Sequence, residues 1–176
     1  MIRTAIIGSG FIGRVWAISF ARAGYEVKLW DQDPSAPQAA HDYITEVLGD
    51  LDRNDLLNGQ TPADVQARIL PERDLAQALD GVTHIQENTP EKLDVKIGVF
   101  RMLDAAAPAG AVIASSTSAL LPSKFTAGLK GRHRCLVVHP INPPYLIPAA
   151  EVVPAPWTSA ETVERTRAFL VDAGHA

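Results

Sequence analysis

Residues 4–31 read TAIIGSGFIGRVWAISFARAGYEVKLWD, and their changes of period decide the fold. Thr4–Gly8 is a short, continuous apolar run of the kind found in strands buried on both faces. Phe11 to Ala23 reads as a helix, with Gly24 placed to cap its C-terminus. Val27–Trp30 is a second apolar run and ends at Asp31. Strand, glycine turn, helix and strand within about thirty residues make a βαβ unit with a right-handed crossover.

The turn is Gly8-Ser9-Gly10-Phe11-Ile12-Gly13, a G-x-G-x-x-G between strand and helix. Gly8 permits the tight turn, Gly10 admits a pyrophosphate close to the backbone, and Gly13 allows helix and strand to pack closely. The unpaired N–H groups at the helix start favour phosphate. Asp31, at the end of the next strand, can accept hydrogen bonds from both ribose hydroxyls of NAD and would repel the 2′-phosphate of NADP. Neither Gln32 nor Asp33 supplies a compensating arginine, so the expected cofactor is NAD. Asp33 also suits a turn cap before Pro34.

Outward from this unit the alternation continues. Helices are expected over Asp42–Leu51, Leu75–Leu79, Pro90–Ala107 and from Ser159 as N-cap to Ala173. Strands are expected at Arg68–Leu70, Thr83–Gln86, Ala111–Ser115, Cys135–His139 and around Val152–Val153. The fold class is therefore α/β, a Rossmann-type doubly wound and mostly parallel sheet.

The 176 residues suit one domain, 1–176, able to bury roughly 70% of its unfolded surface. Hydrophobic residues make up 47% of the chain and charged ones 20%, which excludes a disordered chain. The net charge is -4 with no basic run, so neither nucleic acid nor an anionic membrane surface is expected as a partner. The single cysteine, Cys135, provides no disulfide and no multi-cysteine metal site, and it fits a reducing, cytoplasmic setting. Glycines and Arg14 break the apolar stretch Ala5–Phe20, and prolines break Ala105–Ser123, so neither reads as a membrane span.

Ligands of open α/β sheets lie beyond the C-terminal ends of the strands. There Ser115-Ser116-Thr117-Ser118 follows one strand, and His139 ends another and opens His139-Pro140-Ile141-Asn142-Pro143-Pro144. The prolines stiffen this loop. Glu151, twelve residues after His139, begins another strand-like run and is placed to orient the imidazole as a general base. A turn that satisfies its own backbone and a structural histidine explain the same residues equally well at this point.

Taken with Gly8–Gly13 and Asp31, the stretches Pro90–Lys96 (PEKLDVK), Ala114–Leu120 (ASSTSAL) and His139–Pro154 (HPINPPYLIPAAEVVP) resemble the NAD-binding domain of the L-3-hydroxyacyl-CoA dehydrogenase family. The last loop is similar to its lambda-crystallin branch, which includes L-gulonate 3-dehydrogenase. The resemblance covers the whole chain. It implies that His139 takes the hydroxyl proton while hydride passes to nicotinamide C4, and that Glu151 pairs with it. It further implies that Ser118 hydrogen-bonds the reacting oxygen, that Asn142 lies beside the nicotinamide, and that Glu91 and Lys96 meet the ribose on that side. From the residues alone, Glu91 and Lys96 also fit an exposed helix with charge pairs.

The family places a helical domain after this one, bearing another catalytic asparagine, much of the substrate pocket and a homodimer interface. The sequence read here stops short of it, so the expectation is an NAD-binding chain with little turnover by itself. In acyl-CoA members, lysines after the second strand meet the CoA phosphates. Between Gln32 and Gln60 this chain has Asp33, Asp42, Glu46, Asp50, Asp52 and Asp55 against Arg53 alone. Such a surface repels a polyphosphate, which favours a free 3-hydroxy acid over an acyl-CoA substrate. A non-catalytic NAD-binding or structural, crystallin-like module is the alternative.

Overall fold

The computed structural model describes residues 1–176. Its elements follow the chain as β1 (Arg3–Ile7), α1 (Phe11–Arg22), β2 (Glu26–Trp30), α2 (Ala36–Arg53), α3 (Pro62–Gln66), β3 (Ile69–Pro71) and α4 (Leu75–Leu79). After these come β4 (His84–Glu87), α5 (Leu93–Ala106), β5 (Val112–Ser115), α6 (Pro122–Thr126), β6 (Cys135–Pro140), β7 (Ala150–Pro154) and α7 (Ala160–Asp172). No helix is long and apolar enough to cross a membrane.

The seven strands form one sheet in the order β3-β2-β1-β4-β5-β6-β7. All neighbours are parallel except β6 and β7, which are antiparallel. The order reverses between β1 and β4, which opens the crevice that ligands of such sheets use. Side chains alternate across the sheet. Ile6, Leu29, Ala114 and Val138 pack beneath α1, α2 and α7, whereas Ala5, Ile7, Ile113 and Val137 pack against Phe100 of α5 and Phe125 of α6.

Three departures from the expected elements have local causes. Helix α2 starts at Ala36, ahead of the expected Asp42, because the Asp33 carboxylate accepts from the Ser35 amide and hydroxyl and turns the chain into Pro37. The same bonds hold the Asp33 carboxyl below its ordinary range. Helix α5 starts at Leu93, not Pro90, because side-chain contacts take residues 88–91 into an irregular loop. The short helices α3 and α6 were not expected at all.

Candidate active site

The glycine turn sits between β1 and α1. Gly8 has φ +92°, and a Cβ there would meet the Asn88 backbone at 2.9 Å. Gly13 packs so tightly that a Cβ would overlap the Gly8 carbonyl oxygen. Gly10, the N-cap of α1, faces open space, and no side chain caps that helix. Its first N–H groups are therefore free for an anion.

This loop borders a cleft of about 1100 Å³ with Asp31 and Gln32 on one wall and Gly98, Val99 and Met102 of α5 on the other. The Asp31 carboxylate accepts from the Ser9 amide at 2.7 Å, tying the end of β2 to the glycine turn. The buried Ser9 hydroxyl has no hydrogen-bond partner in the chain. An uncapped helix start, an orphaned hydroxyl beside it and the Asp31 carboxylate at the adjoining end of β2 fit a dinucleotide's pyrophosphate and ribose. Gly8, Ser9, Gly10, Phe11, Ile12, Gly13 and Asp31 are thus brought to one edge of the sheet.

The second group lies beside it. His139 of β6 and Glu151 of β7 are register partners across the antiparallel pair. Their Nδ1 and Oε2 atoms are 2.8 Å apart, with the histidine side chain 28% exposed. The carboxylate fixes Nδ1 as the protonated nitrogen and leaves Nε2 as the ring's acceptor. His139, Ser118, Asn142, Glu91 and Lys96 line one cavity of about 280 Å³, into which Ile12 of α1 also projects. Ser118 and Asn142 are exposed at its rim.

Glu91 precedes α5, and Lys96 is buried within it, so neither belongs to an exposed helix with charge pairs. The Glu91 carboxylate accepts from the Thr117 hydroxyl and from the Ala119 amide at 3.1 Å. Partial burial opposes its ionisation, but these bonds, nearby Lys96 and the Ser118 amide outweigh it and hold the carboxyl below the usual carboxylate range. Lys96 Nζ lies 2.8 and 2.9 Å from the two Glu87 oxygens and 2.9 Å from the Thr89 carbonyl, so its three protons have partners within the chain.

Sequence reasoning missed Glu87 and Asn88, and it placed Ser116 in the hydroxyl run at this edge without giving it a role of its own. The Ser116 hydroxyl accepts from Trp16 Nε1 at 3.0 Å and Gln86 Nε2 at 2.7 Å, and donates to Asn88 Oδ1 at 2.7 Å. The available signal was a central strand and its exit written mostly in polar residues, His84-Ile85-Gln86-Glu87-Asn88, with only Ile85 apolar. Cys135 is buried, and burial pushes its thiol up to about 12, so it is an inert core residue.

Residues 3–176 match the family model described as 3-hydroxyacyl-CoA dehydrogenase, NAD binding domain. The rabbit (Oryctolagus cuniculus) lambda-crystallin is 42% identical over 172 residues, which are 97% of this chain and 54% of that protein. An L-carnitine dehydrogenase/betainyl-CoA thioesterase of Rhizobium meliloti is 39% identical over 172 residues, 98% of this chain and 34% of that protein. The solved 3-hydroxybutyryl-CoA dehydrogenase of Escherichia coli K12 superposes with a TM-score of 0.92 at 28% identity, covering 99% of this chain and 37% of that one. The chain thus spans about half the length of the lambda-crystallin it matches.

Proposed function

Because the chain belongs to the 3-hydroxyacyl-CoA dehydrogenase family, as its NAD-binding domain, we propose that it carries the cofactor site and the general base of an enzyme oxidising a 3-hydroxyl group. The observation that carries this reading is the 2.8 Å His139–Glu151 pair, whose imidazole lines the cavity that Ser118 and Asn142 also line. When bound, NAD supplies the hydride acceptor at nicotinamide C4. His139 Nε2 takes the hydroxyl proton as the C–H bond breaks and the C3 carbonyl forms. Glu151 holds the imidazole by Nδ1 and stabilises the imidazolium that results. Ser118 donates to the reacting oxygen, Asn142 fixes the face presented to it, and Glu91 stands at the rim for the ribose.

The substrate we favour is a free 3-hydroxy acid. Asp42, Glu46, Asp50, Asp52 and Asp55 are all exposed on or just after α2, where they repel the phosphates of coenzyme A. A relative named for L-carnitine, itself a free 3-hydroxy acid, points the same way. Assaying NAD reduction by the full-length gene product with 3-hydroxybutyryl-CoA, gulonate, carnitine and 3-hydroxybutyrate tests this choice. A preference for the thioester would reverse it. In the same protein, His139→Ala lowers kcat by about 10²–10⁴ and leaves NADH affinity in place. Unchanged turnover would remove the base from the mechanism, whereas no reaction of the unaltered protein with any of the four substrates would favour the structural, crystallin-like reading.

A further inference from the structure

Glu87 ends β4 in the middle of the sheet, in register with Ile7 of β1 and Ser115 of β5, and is fully buried. A carboxylate is costly to bury unless both oxygens are satisfied. Here they are: Oε1 accepts from Lys96 at 2.8 Å, from the Thr89 amide at 2.6 Å and from the Thr89 hydroxyl. Oε2 accepts from Lys96 at 2.9 Å and from the Ser115 hydroxyl at 2.6 Å. One side chain thus grips the loop after β4, the end of β5 and the first turns of α5. The ion pair it makes with Lys96 is 0% and 1% exposed.

Four residues on, Glu91 ties the same two loops a second time, at the rim, through Thr117 and Ala119. Ser118 lies between those two attachments. We propose that Glu87, neutralised by Lys96, is a positioning residue that fixes the turn carrying Ser118 for reaction. The inference rests on the reading of Ser118 given above. Lys96 serves as the counter-charge that allows a carboxylate to stand at this point. The pairing Glu87–Ser115 and the pairing Glu91–Thr117 together keep the serine turn from shifting when substrate binds, and misplacement of a reacting contact by about 1 Å costs up to about 100-fold in rate.

The test is a double-mutant cycle in the full-length enzyme, reading kcat, the KM of the hydroxy acid, NADH affinity and the thermal midpoint. Glu87→Met with Lys96→Met replaces the ion pair by apolar groups of similar volume, which keeps the fold where Glu87→Gln alone would leave a buried ammonium unpaired. This pair leaves the Thr89 amide and the Thr89 and Ser115 hydroxyls without their acceptor, so it is expected to lower the thermal midpoint. It is also expected to lower kcat about ten- to hundred-fold, and to add nothing to the kcat loss when Ser118→Ala is already present. Full kcat in the Met pair, or a loss that multiplies with that of Ser118→Ala, overturns the positioning role and leaves the proposed function standing. Wild-type kcat in Ser118→Ala alone removes the role of that serine, and this inference falls with it.

Discussion

Gly10 and Gly13 are three residues apart in one turn, yet they answer to different constraints. A methyl group on Gly13 would overlap the Gly8 carbonyl oxygen and press on Ile6 Cγ2 at 3.0 Å, so the strand–helix contact itself must open. Overpacking of this kind costs about 3 kcal/mol. A methyl group on Gly10 meets nothing within 4 Å and projects into the space the cofactor needs. Urea unfolding together with NADH titration separates the two: Gly13→Ala loses stability, whereas Gly10→Ala keeps it and loses about tenfold in NADH affinity. Equal stabilities of the two variants would contradict the packing argument. Both glycines were legible because their spacing along the chain encodes the turn. Glu87 was not, because its meaning comes from Thr89, Lys96 and Ser115, which only the folded sheet gathers around it.

At the scale of elements, the antiparallel pair β6–β7 makes the His139–Glu151 contact, since its register sets Glu151 opposite His139. Leu170 and Phe169 of α7 pack into the same core as Val138 and Val152 of those strands. Helix α7 is started by the Ser159 side chain, which accepts from the Thr162 amide at 3.1 Å. Ser159→Ala is therefore expected to cost about 1 kcal/mol, or about 3 °C in the thermal midpoint for a domain of this size. A midpoint unchanged within error would show that the cap is redundant. The capping residue and the last helix were readable because cap chemistry is local. The late start of α5 was not, since the pull of Glu87 on Thr89 and of Glu91 on Thr117 overrides the helical pattern of Pro90–Lys92. Helix α3 did carry a local sign, the capping box of Thr61 with Asp64, whereas the five residues of α6 show no side-chain cap.

Across the whole molecule, a polar thread runs through the interior, apart from the buried Glu87–Lys96 pair. From β4, His84 Nε2 meets Gln86 Oε1 at 3.0 Å, and Gln86 donates to Ser116 at the ligand edge. At the other end the His84 ring stacks on Phe169 of α7 at 4.1 Å, and its Nδ1 has no partner. Gln86 Oε1 can only accept, so Nε2 carries the proton of a neutral imidazole, and a second proton on Nδ1 would be buried without an acceptor. Burial accordingly lowers the His84 pKa from 6.5 to about 4, against a raising contribution from Gln86. The unfolded chain then binds a proton between pH 6.5 and 4 that the folded chain refuses, so stability is complete above 6.5 and declines as the pH falls through that window. Between pH 7.5 and pH 5 this one group accounts for about 2 kcal/mol. His175, lowered to about 4 by burial and by Arg22, adds in the same direction. Urea unfolding of the native chain and of His84→Leu at both pH values isolates the first contribution. The variant starts less stable, since Gln86 loses its donor, but it loses about 2 kcal/mol less on acidification. Parallel losses in the two proteins would mean that His84 takes its proton while folded, and that the thread from α7 to the ligand edge tolerates a charge.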